Sequence, residues 1–150
     1  MRILVFAVAI SVAWTNLAVG QANSLKRTVV DFGLIGVWAA DCDQTASLTN
    51  NYITYATTAD SNVTMTTDVG KGSQPPRFQI TQAEQIADDR LVLRLIYLNL
   101  NQNMTVELVI TNDRFRVWSS RVVDGKILVK DGVMLDKRET WWMNRCRTSG

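Results

Sequence analysis

Histidine, a residue type used for proton transfer near pH 7 and for metal binding, is absent from this 150-residue chain. Without histidine, the sequence excludes Ser-His-Asp and Cys-His nucleophilic sites, a histidine proton shuttle near pH 7, and imidazole-ligated metal sites. The glycine-rich motifs that bind nucleotide phosphates are missing as well. We therefore expect a protein that is not an enzyme, with no catalytic residue, cofactor or metal ion.

Paired carboxylates are the one catalytic device that the sequence still offers. Asp41 and Asp43 are two positions apart, so in an extended strand they share a face with Cα atoms about 6.6 Å apart. Glycoside hydrolases use carboxylate pairs at comparable distances. The same alternation places Trp38, Ala40 and Cys42 on the opposite, inward face, so we expect Asp41 and Asp43 to be solvated rather than catalytic.

The N-terminal segment 1–22 has the pattern of a secretory signal peptide. Arg2 precedes an uninterrupted apolar run over residues 3–10, and small residues follow, with cleavage expected after Gly20 or after Ala22. The apolar run is shorter than the roughly 20 residues that a membrane-spanning helix needs. The chain is therefore predicted to be secreted or periplasmic, with no membrane span after removal of this segment.

The chain has two cysteines, Cys42 and Cys146. In an oxidising compartment such an even pair is normally a disulfide. After the signal peptide, we predict a lead segment over residues 23–33 and a single domain over residues 34–150. The bridge would then link the two ends of this domain.

Turn-forming clusters recur along the whole domain, and between them lie runs rich in Val, Ile, Thr, Tyr, Phe and Trp. Spacing of about 8 to 12 residues between turns is typical of an all-β sandwich or barrel. We predict a single-domain, antiparallel, up-and-down β-barrel of eight or nine strands, with its ends linked by the disulfide; a β-sandwich is the alternative. The clusters lie at Asn50-Asn51, Asp60 to Asn62, Gly70 to Pro76, Asp88-Asp89, Asn101 to Asn103, Asn112-Asp113, Asp124-Gly125 and Asp136-Lys137.

Two stretches predict which side chains of a strand face the core and which residues pair across a hairpin. Alternation over residues 104–110 places Met104 and Leu108 with the other even-numbered residues on the core face. The Asp124-Gly125 pair predicts a two-residue hairpin turn that would pair Val122 with Ile127 and Ser120 with Val129, with Trp118 on their face. Alternation over residues 114–118 instead groups Phe115 with Val117, and a bulge near Ser119-Ser120 would reconcile the two patterns.

The stretch "GLIGVW", which ends at Trp38, resembles the opening Gly-x-Trp strand of lipocalins and avidins, the small secreted barrels grouped as calycins. The closing "ETWWMNRC" is similar to the penultimate avidin strand. The resemblance implies an up-and-down barrel in which Trp38 packs at one end beneath an arginine of the last strand, either Arg145 or Arg147. The pattern is also similar to that of uncharacterised small secreted bacterial proteins.

Two groups of residues are candidates for binding. Aromatic walls with a few polar tips typify ligand pockets, so a first group would line a cavity, with core packing as its alternative role: Tyr52, Tyr55, Tyr97, Trp118 and Trp141. A second group interleaves with aromatic residues in a basic part of the chain and would face an anionic partner, or simply solvent: Arg114, Arg116 and Arg121.

Two hypotheses of function follow. The leading one is an exported, non-enzymatic protein that carries a small apolar or amphipathic ligand inside the barrel. The alternative is a protein-binding module or inhibitor that acts through the basic strand surface. The net charge of +2 argues against a dedicated nucleic-acid binder.

Overall fold

A computed structural model describes residues 24–72 and 74–146, so the predicted signal peptide and Arg147 lie outside the described residues. Within them, residues 24–31 form a short helix, α1, and ten antiparallel strands form one sheet. The strands are β1 (Gly36–Ala39), β2 (Tyr52–Thr57), β3 (Val63–Asp68), β4 (Arg77–Ala87), β5 (Arg90–Tyr97), β6 (Gln102–Thr111), β7 (Arg114–Val122), β8 (Ile127–Lys130), β9 (Val133–Met134) and β10 (Met143–Cys146).

The sheet closes on itself. Consecutive strands from β1 to β9 are neighbours, and β10 pairs with both β1 and β7. This gives a closed eight-stranded barrel of β10 and β1 to β7, while β8 and β9 extend the sheet beyond the ring. The prediction of an all-β up-and-down barrel is confirmed, and so is the disulfide between Cys42 and Cys146, whose Cα atoms are 5.4 Å apart.

The barrel has two chemically different ends. We call the end at which β1 starts the closed end; it also holds the β2–β3, β4–β5 and β6–β7 turns. The opposite, open end holds the loops β1–β2, β3–β4, β5–β6, β7–β8 and β9–β10, because neighbouring strands run in opposite directions.

The lead segment contributes to the core through α1. Leu25, Val29 and Phe32 follow a helical spacing and lie on one buried face. Gly33, with φ of 76°, ends the helix: its amide donates to the carbonyl of Val30, and the next amide donates to that of Val29. Because α1 directly precedes β1, its buried face fills the barrel from the closed end.

The hairpin predicted at Asp124-Gly125 is confirmed in its place and in the pair of Ser120 with Val129, but the predicted two-residue turn is wrong. Ile127 pairs with Arg121 rather than with Val122, and the amide of Val122 donates to the carbonyl of Lys126 across a wider turn. A register shift between residues 120 and 121 accommodates the extra residue. The Asp124-Gly125 pair predicted where the chain turns, whereas the register shift determines which residues of β7 and β8 pair next to the turn.

A second register shift determines where Trp118 lies. In the β6–β7 pair, Glu107 faces Ser119 but Leu108 faces Val117, so Trp118 has no opposite residue on β6. This bulge separates Trp118 from Phe115, which points into the core.

Strand β1 ends earlier than the alternation predicts. It stops at Ala39, so Asp41 and Asp43 lie in the β1–β2 loop and share no strand face. Both are exposed, and the Oδ1 of Asp41 accepts a hydrogen bond from the backbone amide of Asp43 at 3.0 Å. Among the described residues, no helix is long and apolar enough to cross a membrane.

Candidate functional site

A cavity of about 340 Å³ lies at the open end of the barrel, and we call it the mouth cavity. Ile53, Phe115, Val117 and Met143 form its inner wall. Strand register shows that these side chains face the barrel interior, because Phe115 is directly opposite Met143 and Val117 is opposite Leu108 of the core. The complete lining is Leu48, Thr49, Asn51, Ile53, Phe115, Val117, Val129, Met134, Arg138, Thr140, Trp141 and Met143.

The cavity exists because β10 accompanies β7 for only a short distance. Met143 and Asn144 pair with the first two residues of β7, after which β7 pairs with β8. Above this point, β8, β9 and residues 135–142 replace the regular barrel wall. The side chain of Thr140 anchors that segment, since its hydroxyl donates to the carbonyl of Val117 at 2.7 Å.

The β1–β2 loop forms the opposite lip of the cavity and is held by internal hydrogen bonds. The amide group of Asn50 donates to the carbonyl of Asp41 at 2.9 Å, and its oxygen accepts from the amide of Asp41 at 2.9 Å. The Tyr52 hydroxyl lies 2.9 Å from the carbonyl of Cys42 and 2.7 Å from that of Gln44. Leu48 is therefore presented on an ordered tip of the loop.

Polar groups lie near the outer part of the cavity. Arg138 forms an ion pair with Asp136, with 2.6 Å between Nη2 and Oδ2, and its Nε donates to the same oxygen at 2.7 Å. Hydrogen bonding to Arg138 lowers the pKa of the Asp136 carboxyl. The cavity thus combines an apolar inner wall with an outer part where the charge of Arg138 is balanced by that of Asp136.

Of the five aromatic residues in the first predicted group, Trp141 lines the mouth cavity. Tyr52 holds the β1–β2 loop, as described above. Tyr55 lies in the core with its ring edge-on to Phe115, and burial raises the pKa of its hydroxyl well above the usual value. Tyr97 stacks on Phe78 with 4.7 Å between ring centres. These rings do not converge on one site.

Trp118, the fifth aromatic candidate, belongs to a stack of alternating arginine and tryptophan side chains. Arg116 lies between Trp118 and Trp142, with its guanidinium carbon 5.2 Å and 4.9 Å from the two ring centres. Arg114 also covers Trp142, and Arg90 covers Trp118. We call these five residues the arginine–tryptophan stack.

The stack engages two of the three arginines in the second predicted group, Arg114 and Arg116. Arg116 is largely buried, lies 3.6 Å from the carboxylate of Glu139, and has an Nε without a hydrogen-bond partner among the described residues. Arg121 is exposed and takes no part in the stack. The three side chains therefore differ in environment, although all three lie on β7.

We expect Arg116→Lys to lower the free energy of unfolding by about 1–2 kcal/mol, because an ammonium cannot stack its plane between two indole rings. Urea-induced unfolding followed by circular dichroism measures this change. Arg121→Lys, on the same strand, is the matched control and should stay within about 0.5 kcal/mol of the wild type. Equal effects of the two substitutions would contradict a stabilising role for the stack.

Trp38 and Arg145 meet at the seam between β1 and β10, where they are directly opposite. The guanidinium carbon of Arg145 lies 4.2 Å from the centre of the Trp38 ring system. Its nitrogens donate to the carbonyls of Ile35, at 2.9 Å, and Gly33. Arg145 thus joins the segment after α1 to both strands of the seam.

The part of the chain that the structure describes has no cluster of three or more His, Cys, Asp or Glu side chains suited to a metal ion. The chain matches no protein-family model and no curated protein. Among solved structures it is similar to a redesigned β-barrel, with 15% identity, a TM-score of 0.45, and coverage of 85% of this chain and 96% of that chain. At these values the similarity carries no argument about function.

Proposed function

We propose that this protein is a non-enzymatic binding protein that holds a small apolar or amphipathic molecule in the mouth cavity. The observation that carries the proposal is the cavity itself, which has a volume of about 340 Å³ and an apolar inner wall. Small-molecule sites typically measure about 300–1,000 Å³ and combine apolar walls with a few polar groups. The mouth cavity has both properties.

The distribution of polar groups supports an amphipathic ligand with a defined orientation. An apolar portion fits against Phe115, Val117 and Met143, which are the inner lining residues. A polar end fits near Arg138, whose guanidinium keeps donor hydrogens beyond those used by Asp136. Because Asp136 balances the charge of Arg138, the site favours an uncharged polar end over a strongly anionic one.

Two features support a calycin-like protein that acts outside the cytoplasm. The first is the contact between Arg145 and Trp38 at the seam of an eight-stranded meander. The second is the disulfide, since such bridges persist in oxidising compartments.

A dye-binding experiment tests the proposal. N-phenyl-1-naphthylamine, a neutral apolar dye, should bind the purified protein saturably with a rise in fluorescence. Val117→Trp fills the cavity from its inner wall and should weaken dye binding by about tenfold or more, because the displaced volume removes apolar contact area. Val30→Trp, at an exposed position of α1, is the matched control and should bind like the wild type.

Met134→Glu provides a second variant in case the larger indole distorts the core. Met134 lies on the cavity wall and is half-buried, so a carboxylate there should expel an apolar ligand without overfilling the barrel. Dye affinity unchanged in both cavity variants, or no saturable binding by the wild type, would refute the proposal.

A further inference from the structure

The open end of the barrel carries an unusual concentration of exposed apolar side chains. They lie in four of the five loops at this end, and their exposed fractions range from 40% to 78%. We call this group the apolar rim: Leu48, Leu98, Leu100, Val123, Leu135 and Trp141. Isolated exposed leucines are ordinary, but six large apolar side chains in the loops of one barrel end indicate a surface that contacts something apolar.

The turns at the closed end have the opposite character. The β2–β3, β4–β5 and β6–β7 turns contain no Lys, no Arg and no exposed large apolar residue, but they hold Asp60, Asp88, Asp89 and Asp113. The loops of the open end carry both signs of charge, including Lys71, Lys126 and Lys137 among their basic residues.

Helix α1, also at the closed end, adds Asp31, Lys26, Arg27 and the exposed Val30. The closed-end turns and α1 together hold five acidic and two basic side chains, whereas the open-end loops hold five acidic and four basic ones. The closed end is therefore the more acidic of the two.

We propose that the apolar rim docks on a lipid surface, from which the mouth cavity takes up an acyl chain. Charge favours this occupant, because the negative potential of a membrane repels the acidic turns of the closed end and orients the open end towards the lipid. Leucine and tryptophan side chains are well suited to shallow insertion at the boundary between headgroups and acyl chains.

The rim and the cavity are continuous. Leu48 and Trp141 belong to the apolar rim and also line the mouth cavity. A chain leaving the lipid layer between them would enter the cavity without crossing water. The identity of the ligand as an acyl chain rests on the proposed function, whereas docking depends on the rim alone.

Co-sedimentation with vesicles of equimolar phosphatidylcholine and phosphatidylglycerol tests docking directly. Leu98→Ser combined with Leu100→Ser removes two rim side chains that do not line the cavity. The partition coefficient of this double variant should fall about tenfold or more. The matched control, Val30→Ser combined with Ile86→Ser, removes two exposed apolar side chains outside the rim and should bind vesicles like the wild type.

The same variants separate docking from the proposed function. The rim variant should keep its affinity for the dye, and Val117→Trp should keep its affinity for vesicles. Docking is overturned if the wild type stays in solution, or if the rim and control variants bind vesicles equally. It is also overturned if sedimentation velocity shows a dimer that only the rim variant dissociates, since the rim would then contact a second copy.

Discussion

Replacing Trp38 with alanine is expected to lower the free energy of unfolding by about 3–5 kcal/mol. Trp38 is fully buried, and its ring lies edge-on to Phe115 with 5.0 Å between centres. Its indole nitrogen donates to the carbonyl of Leu34 at 2.8 Å. Alanine would leave a cavity, an unpaired carbonyl, and Arg145 without the aromatic face beneath it, and each of these losses destabilises the fold.

Urea unfolding of three variants identifies which of these losses dominates. Trp38→Phe keeps an aromatic ring but removes the donor to Leu34, so it should cost about 1–2 kcal/mol. Trp141→Ala makes the same truncation at an exposed site and should change stability by no more than about 0.5 kcal/mol. A Trp38→Ala effect no larger than that of Trp141→Ala would contradict the central place of Trp38 in the core.

Local sequence patterns predicted the strands because each pattern acts over a few neighbouring residues. The alternation over residues 104–110 is one example: Leu108 is fully buried, and Met104, Val106 and Ile110 pack against the core. Regular turn chemistry likewise predicted a meander, and a meander of this length closes most simply by joining its ends.

Features that depend on pairing between strands were harder to predict from the sequence. The conflict between the hairpin turn and the alternation in β7 predicted a bulge near Ser119-Ser120, but its position at Trp118 depends on the register of β7 against β6. This bulge places Trp118 in the arginine–tryptophan stack. The sequence showed interleaved arginines and aromatics but not which of them would contact each other.

The mouth cavity illustrates the same limit. The predicted cavity residues were tyrosines and tryptophans, whereas the inner wall consists of Ile53, Phe115, Val117 and Met143, of which one is aromatic. Inward alternation in β7 already grouped Phe115 with Val117. What the sequence could not reveal is that β10 leaves β7 after Phe115, because this departure depends on the path of residues 135–142 across the barrel.

Removing the disulfide, by Cys42→Ser combined with Cys146→Ser, is expected to lower the free energy of unfolding by about 2–4 kcal/mol. The bridge closes a loop with a sequence separation of 104 residues, and a loop of this length has much entropy to regain in the unfolded state. Chemical unfolding of the oxidised wild type and the double variant under identical conditions measures the difference.

The bridge should also protect the seam of the folded barrel. Strand β1 joins β10 through three residue pairs, which makes this seam shorter than the β4–β5 or β5–β6 pairs. Amide hydrogens of β1 should therefore exchange faster in the double variant, while those of β5 change only by the global loss of stability. Faster exchange throughout the barrel, with no preference for β1, would contradict this expectation. The bridge would then stabilise the protein by restricting the unfolded chain, and Arg145 and Trp38 would hold the seam together.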